Sequence, residues 1–350
     1  MHEHPNSMKQ ILGILLFLAA GFAGCTNSPP ASAGMSNFGP AAQASAASSQ
    51  TVYSTPAPQA AAYAMESLLA NSAYWISNRV HGKNGSDSNA FRATFSSMKW
   101  GLDSTWPITR NTSCWLHGVK GITAISPFNL RSAYHGPGTA VTPRHILMVT
   151  HMRSPPGTVF QFATMDSQIV SRKLIAYSDS TKIGDLSIGL LDSDLPPSIG
   201  FMRVMPPLWR QIMPEAFQTR RPGLLPGDRS KADVHPIVAF NHWKQGFVAD
   251  FTGYGVLLDK SVWFPGWFGY AAGGDSGHPL CILANDELFL ITLYTTPSGG
   301  MLYPDYTTII NTEMEELSRA HKAPVYRLTV ATELMSFKPP TGQTNSTPAR

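Results

Sequence analysis

Gly138-Thr139-Ala140-Val141-Thr142-Pro143-Arg144-His145-Ile146-Leu147-Met148-Val149-Thr150-His151 reads as a short strand, a Thr-Pro-Arg turn, a second strand and a histidine where the apolar run stops. Short apolar runs punctuated by Gly, Pro and Asp continue on both sides of it. Gly121 to Ile125 precedes it, and Val159 to Phe162, Ile169-Val170 and Lys173 to Ala176 follow. A second series comprises Ile237 to Phe240, Phe247 to Tyr254 and Leu288 to Tyr294. Many short strands with turn signals between them predict an all-β barrel or sandwich. The two series flank Met205 to Asp233, which holds Pro206, Pro207, Pro214, Pro222 and Pro226. The pattern therefore predicts two β-domains, over about 106–205 and 234–308, joined by a Pro-rich connector. Thr308 to Ala320 then reads as a helix, with Ile309, Ile310, Met314 and Leu317 close to helical spacing.

Composition narrows the function classes. The chain has 350 residues, 26 Lys+Arg against 22 Asp+Glu, and only 14% charged residues, where roughly 25% is usual. The net charge of +4 is spread without a basic run, which argues against a nucleic-acid interface or a polybasic membrane patch. With 29 Gly and 28 Pro, turns are frequent, and helix bundles and coiled coils lose ground. Three cysteines cannot make a disulfide framework. Cys114 and Cys281 are left as either one disulfide, if the domain is exported, or two buried free thiols.

The third cysteine sits in a different context. Ile11 to Ala23 is an apolar run after Lys9, shorter than the roughly 20 residues that span a bilayer, and fits the core of a secretory signal. Its end, Ala23-Gly24-Cys25, resembles a bacterial lipoprotein lipobox, with Phe22 where Leu is commoner. That resemblance implies cleavage of 1–24, a diacylglycerol on the Cys25 sulfur and a place in the cell envelope. Thr26 rather than Asp after the cysteine favours the outer membrane. Met8-Lys9 offers a tidier start to the signal than Met1. From Gln10 to Met65 there is no Asp, Glu, Lys or Arg, and 25–60 is Ala/Ser/Pro-rich, the texture of a flexible tether. Gln59 to Val80 reads as a helix closed by His81-Gly82, so 61–105 is taken as a helical extension ahead of a β domain at 106–322. Residues 323–350 form a C-terminal extension whose end, Lys338 to Arg350, reads as disordered.

Three segments in fixed order carry the chemistry. The strand pair ending at His151 comes first, then Gly184-Asp185-Leu186-Ser187-Ile188-Gly189-Leu190-Leu191, then Gly273-Gly274-Asp275-Ser276-Gly277-His278-Pro279-Leu280. Together they resemble the signatures of the trypsin/chymotrypsin-like serine proteases, over about Val119 to Ala320. The resemblance implies two six-stranded antiparallel β-barrels with a C-terminal helix. It also implies a serine endopeptidase in which Ser276 is the nucleophile, His151 the base and Asp185 the orienting carboxylate. The amides of Gly274 and Ser276 would form the oxyanion hole. Chemistry asks for the same residue types: a serine hydroxyl needs a neighbouring imidazole to accept its proton, and the imidazole needs a carboxylate to fix its tautomer.

Departures from the family pattern bear on the site. Thr150 and Met152 flank His151 where Ala and Cys are usual, so the disulfide beside the histidine is absent. His278 replaces a glycine, which would carry strain if that backbone needs a positive φ, and its imidazole would reach toward the leaving-group side. No Ile-Val-Gly-Gly sequence precedes the barrel to supply an amine for Asp275. Tyr270 stands where an aspartate gives Arg/Lys specificity, so that preference is not expected. Tyr270 and the strand Tyr294-Thr295-Thr296 are the expected substrate-binding residues, the strand by β-augmentation. The aromatics Trp263 to Tyr270 approach the site, and Trp263 and Phe264 read better as core anchors.

No cofactor is called for. Other histidines, among them His117, His135, His145, His235, His242 and His321, show no metal-ligand spacing. His145 could be mistaken for the base, but the apolar run leads on to His151. The expected partners are a protein or peptide substrate and, through the lipid, a membrane. Two other functions fit less of the pattern. One is a catalytically impaired binding module on the same fold. The other is an esterase or lipase of the α/β-hydrolase kind, whose elbow fails at His278 and whose acid and histidine should follow the serine.

Overall fold

The computed structural model describes residues 58–97, 108–126, 128–129, 136–207, 235–241, 245–251, 263–269, 272–296 and 299–337. The expected signal segment, Cys25, the tether up to residue 57, Tyr270, all but the start of the connector, and Lys338 to Arg350 lie outside them. Among the described residues no helix is long and apolar enough to cross a membrane.

The first sheet is built from β3 (Ile125–Ser126), β4 (Phe128–Asn129), β5 (Gly138–Ala140), β6 (His145–Met148), β7 (Val159–Ala163), β8 (Ile169–Asp179) and β9 (Ser187–Leu191). Its order is β3-β5-β6-β9-β8-β7-β4, antiparallel throughout. β3 and β4 follow one another directly, divided only by Pro127, which has no amide to give to a ladder. The two ends of the sheet therefore approach one another, and it forms a nearly closed six-stranded barrel. Inward residues Ile146, Phe160, Phe162, Leu174, Ile188 and Leu190 fill it. Gly189 is dictated by close approach: a Cβ there would stand 2.7 Å from Leu174 Cδ1 and 2.8 Å from Ile146 Cγ1.

The second sheet comprises β10 (Arg203–Val204), β11 (His235–Phe240), β12 (Gly246–Phe251), β13 (Pro279–Ala284) and β14 (Glu287–Leu293), in the order β10-β14-β13-β11-β12. β11 to β14 pair antiparallel, and β10 joins β14 in parallel. The described strands do not themselves complete the second barrel. Asn285 and Asp286 (φ 50° and 58°) make the two-residue turn between β13 and β14.

This sheet is buried on both faces, which is why its strands are continuous apolar runs without a polar alternation. Val238, Phe240, Cys281, Leu283 and Leu290 join the core of the first barrel. Ile237, Ala239, Leu280, Ile282 and Phe289 face the other way. Leu68 from helix α1 (Pro58–Val80), together with Leu334 and Phe337 from the C-terminal segment, covers that second face. The described parts of both chain extensions thus belong to the core. At the end of α1, Arg79 Nε donates to Asp286 Oδ1 (2.7 Å) and Nη1 to the His117 carbonyl (2.8 Å), clamping the helix to the β13–β14 turn.

The all-β architecture with a closing helix is as expected, and that helix, α2, spans Thr307–Ala320. Local readings changed in three places. Gly121 to Ile125 is mostly a 3-10 turn, Ile122–Ala124, because Gly121 adopts φ 89° and starts a turn where a strand was expected. Ile169-Val170 and Lys173 to Ala176 are one strand, β8, whose first half is only partly covered. The helical extension stops at Val80, and the chain continues as a π turn, Ser88–Arg92, and a strand pair, β1 (Phe95–Ser97) with β2 (Thr109–Arg110).

α2 is fastened to the barrel through a buried histidine. The Thr142 hydroxyl accepts from the amides of Arg144 and His145, so its proton goes to His145 Nδ1 (2.8 Å), and His145 Nε2 donates to Ser318 Oγ (2.9 Å). Burial lowers the His145 pKa from 6.5 to about 4. The unfolded chain therefore takes up this proton first as pH falls. Stability should drop between pH 6.5 and 4, by on the order of 3 kcal/mol from this group. Denaturation titrations of wild type and His145→Gln should show a shallower pH slope for the variant in that window. Equal slopes would contradict the assignment.

Candidate active site

Strand register brings the first two site residues together. Met148 of β6 pairs with Ser187 of β9, and extending this antiparallel ladder sets Thr150 opposite Asp185, where the Thr150 amide meets the Asp185 carbonyl at 3.4 Å. His151 lies on the 3-10 turn Thr150–Met152 that ends β6. Asp185 lies in the turn just before β9. Its Oδ1 accepts the His151 backbone amide (3.0 Å) and its Oδ2 contacts His151 Nδ1 (2.5 Å), so one carboxylate holds both the main chain and the ring.

Ser276 comes from the other sheet, on the loop 272–278 that leads into β13. Asp275 N donates to the Ala272 carbonyl (3.1 Å), and His278 N to the Asp275 carbonyl (3.1 Å). Gly277 N and the Tyr294 carbonyl (2.8 Å) pin the loop to the end of β14. Gly274 and Gly277 supply the left-handed turns, at φ 99° and 86°. The loop delivers Ser276 Oγ to within 2.9 Å of His151 Nε2.

With Nδ1–H given to Asp185, the neutral ring presents its Nε2 lone pair to the Ser276 hydroxyl. The side chains of His151 and Asp185 are 45% and 31% exposed, so the group is open to solvent on one side. Among the described residues, the amides of Gly274 and Ser276 have no hydrogen-bond acceptor, and Gly274 is exposed beside the serine. Such an arrangement can move a proton from hydroxyl to imidazole and offer two N–H donors to an oxyanion.

Other expectations are revised. His278 is not among the positive-φ residues, because Gly277 takes the left-handed position, so no backbone strain falls on it. Its ring is buried, with Nδ1 against the Asp275 carbonyl at 3.0 Å, and lines an internal pocket beside Phe240 and Asn241. Asp275 is also buried, and its Oδ2 accepts the Ala272 amide at 2.7 Å.

Tyr294 is 1% exposed and belongs to the core of the second sheet; burial first and the Asp275 charge second push its phenol pKa well up. The amides of Thr295 and Thr296 both go to the Gly299 carbonyl (3.1 and 3.0 Å), so the expected β-augmentation edge has its donors already bonded within a hairpin. Trp267, from the aromatic approach, packs on Trp115 (5.8 Å between centroids) and is held by Arg92, whose Nη2 donates to the Gly266 carbonyl at 2.7 Å.

Cys114 and Cys281 are both free and buried. They serve separate surroundings: the Cys114 thiol points to the Arg92 carbonyl (3.7 Å), while Cys281 packs on Met202 Sδ (3.4 Å). Among the described residues no cluster of three or more His, Cys, Asp or Glu side chains is set to hold a metal ion.

No family model and no curated protein matches the chain. Among solved structures it is similar to human heparin binding protein, at 12% identity and a TM-score of 0.36, over 55% of this chain and 93% of that one. A likeness at that level carries no weight for the chemistry.

The loop conformation yields a stability test. A Cβ on Gly277 would meet Pro137 at an ordinary 3.5 Å, so the penalty for Gly277→Ala is conformational, about 1–2 kcal/mol. Denaturant unfolding should show that loss with an unchanged m value. Unaltered stability would contradict a left-handed Gly277.

Proposed function

We propose that this chain is a serine endopeptidase, exported and held at a bacterial membrane by a lipid on Cys25. The observation that carries the catalytic part is the continuous path from Asp185 Oδ2 to His151 Nδ1 (2.5 Å) and from His151 Nε2 to Ser276 Oγ (2.9 Å). His151 takes the Ser276 proton as the oxygen attacks the scissile carbonyl, and Asp185 holds the ring and stabilises the imidazolium. The amides of Gly274 and Ser276 bind the oxyanion of the tetrahedral intermediate, each contributing about 3 kcal/mol to the transition state. His151 then donates its proton to the leaving amine, leaving an acyl group on Ser276. Water, deprotonated by the same histidine, releases it. The tether rests on sequence alone: the apolar run, Ala23-Gly24-Cys25 and the uncharged stretch behind it.

Two experiments test the two halves. Full-length protein in detergent should react with a fluorophosphonate, Ser276→Ala should lose the label, and Asp185→Asn should lower peptide hydrolysis by roughly 10⁴ in kcat. A folded wild type that takes no label would leave a binding module. A protein that cleaves esters but no member of a peptide library would be an esterase. In cells fed labelled palmitate, the label should enter the wild type and be absent from Cys25→Ala; equal labelling would remove the lipid anchor.

A further inference from the structure

Behind the His151 turn, four side chains close a circuit that begins and ends on Thr150. The Thr150 hydroxyl meets Ser187 Oγ at 3.2 Å, and Ser187 in turn donates to Asp179 Oδ1. The other oxygen of Asp179 faces Arg153 Nε at 3.4 Å, and Arg153 Nη1 donates to the Thr150 carbonyl at 3.1 Å. The guanidinium also stacks over the Tyr177 ring, 4.7 Å from its centroid, which fixes its plane. Ser187 is fully buried, while Asp179 and Arg153 are about one-third exposed.

The circuit spans the elements whose relative position the site requires. Thr150 and Arg153 bracket His151 on its turn, Asp179 ends β8, and Ser187 opens β9 two residues after Asp185. The turn itself is three residues long, closed by Met152 N to the Val149 carbonyl (3.2 Å) and Arg153 N to the Thr150 carbonyl (3.3 Å), and beyond the circuit it is tied through Asp185, which takes the His151 and Thr150 amides. Its histidine side chain is nearly half exposed, so packing alone does not lock the ring. Met152 offers no thiol to cross-link the turn to the barrel.

We infer that Thr150, Ser187, Asp179 and Arg153 are positioning residues that brace the His151 turn against the strand carrying Asp185, a hydrogen-bonded circuit in place of a covalent bridge. The inference rests on the proposed proteolytic role of His151. Small displacements of a base relative to its nucleophile lower the rate steeply, whereas substrate binding, made elsewhere, is untouched. The circuit should therefore act on kcat and leave KM alone.

The test compares Thr150→Val, which keeps the shape and removes the hydroxyl, with Thr150→Ser, which restores it, in the full-length protein. Thr150→Val should lower kcat about tenfold with KM within about twofold, and Thr150→Ser should recover to within about threefold of wild type. Asp179→Asn, at the solvent-facing side of the circuit, should reproduce the Thr150→Val loss and covers the case in which that variant fails to fold. Unchanged kcat in Thr150→Val and Asp179→Asn, a change confined to KM, or a serine variant as impaired as the valine one would overturn the inference.

A readout that needs no turnover separates this inference from the reading beneath it. The proton in the His151–Asp185 hydrogen bond, followed by NMR, should exchange with water about tenfold faster in Thr150→Val than in wild type or Thr150→Ser. If wild type resists fluorophosphonate but this pattern appears, the protease reading falls and the brace stands. If wild type is labelled and exchange is equal in all three proteins, the brace falls and the protease reading stands.

Discussion

A hydrogen bond of 2.9 Å between Ser276 Oγ and His151 Nε2 joins a residue from the second sheet to one from the first, and the rest of the molecule is arranged so that it can form. On the first sheet it requires the β6–β9 register, since a slip of one residue would turn Ser187, Gly189 and the side of the strand they define to the opposite face. On the second it requires the loop 272–278 to turn twice through left-handed backbone and to be tied to β14 by Gly277 and Tyr294. Asp185 connects the two demands. It holds the His151 amide and the His151 ring at once, so the orientation of the imidazole is inherited from the barrel wall.

Burial on both faces makes the second sheet a dependable platform for Ser276. One face merges with the core of the first barrel, and the other is closed by α1 and the C-terminal segment, which reaches β10 through the Val204–Val330 bridge. Arg203, paired with Glu287 at 2.7 Å and with Glu333, ties that segment down at its rim. Arg92, from the chain after α1, braces the aromatic segment ahead of the Ser276 loop in the same way. The segments flanking the two sheets thus support Ser276 and His151 indirectly.

Much of this was legible in the residues themselves. The apolar runs that became β6, β9, β11 and β14 are core strands whose identity hydrophobicity decides, and the spacing of Ile310, Met314 and Leu317 marked α2. His151, Asp185 and Ser276 were singled out by the resemblance of their three segments to serine-protease signatures, and the fold sets their side chains in one hydrogen-bonded row. What escaped notice depends on backbone angles or on contacts far apart in sequence. Gly121 at φ 89° turned an apolar run into a 3-10 helix. Gly277 takes the left-handed angle, so the strain that a positive φ would have put on His278 does not arise. Tyr294 alternates inward, which its place beside the site did not reveal. For Thr150 the signal was present as a hydroxyl residue where alanine is usual, but its partners Ser187 and Asp179 come together only through the β8–β9 pairing.

The central claim is that these groups form a nucleophile able to hold an acyl intermediate. Stopped-flow mixing of the protein with an activated nitrophenyl ester reads it most directly. The account predicts a burst of nitrophenolate of about one equivalent per chain, followed by slower turnover, with the acyl group found by mass spectrometry on Ser276. Release without a burst, or an acyl group on any other residue, would contradict it.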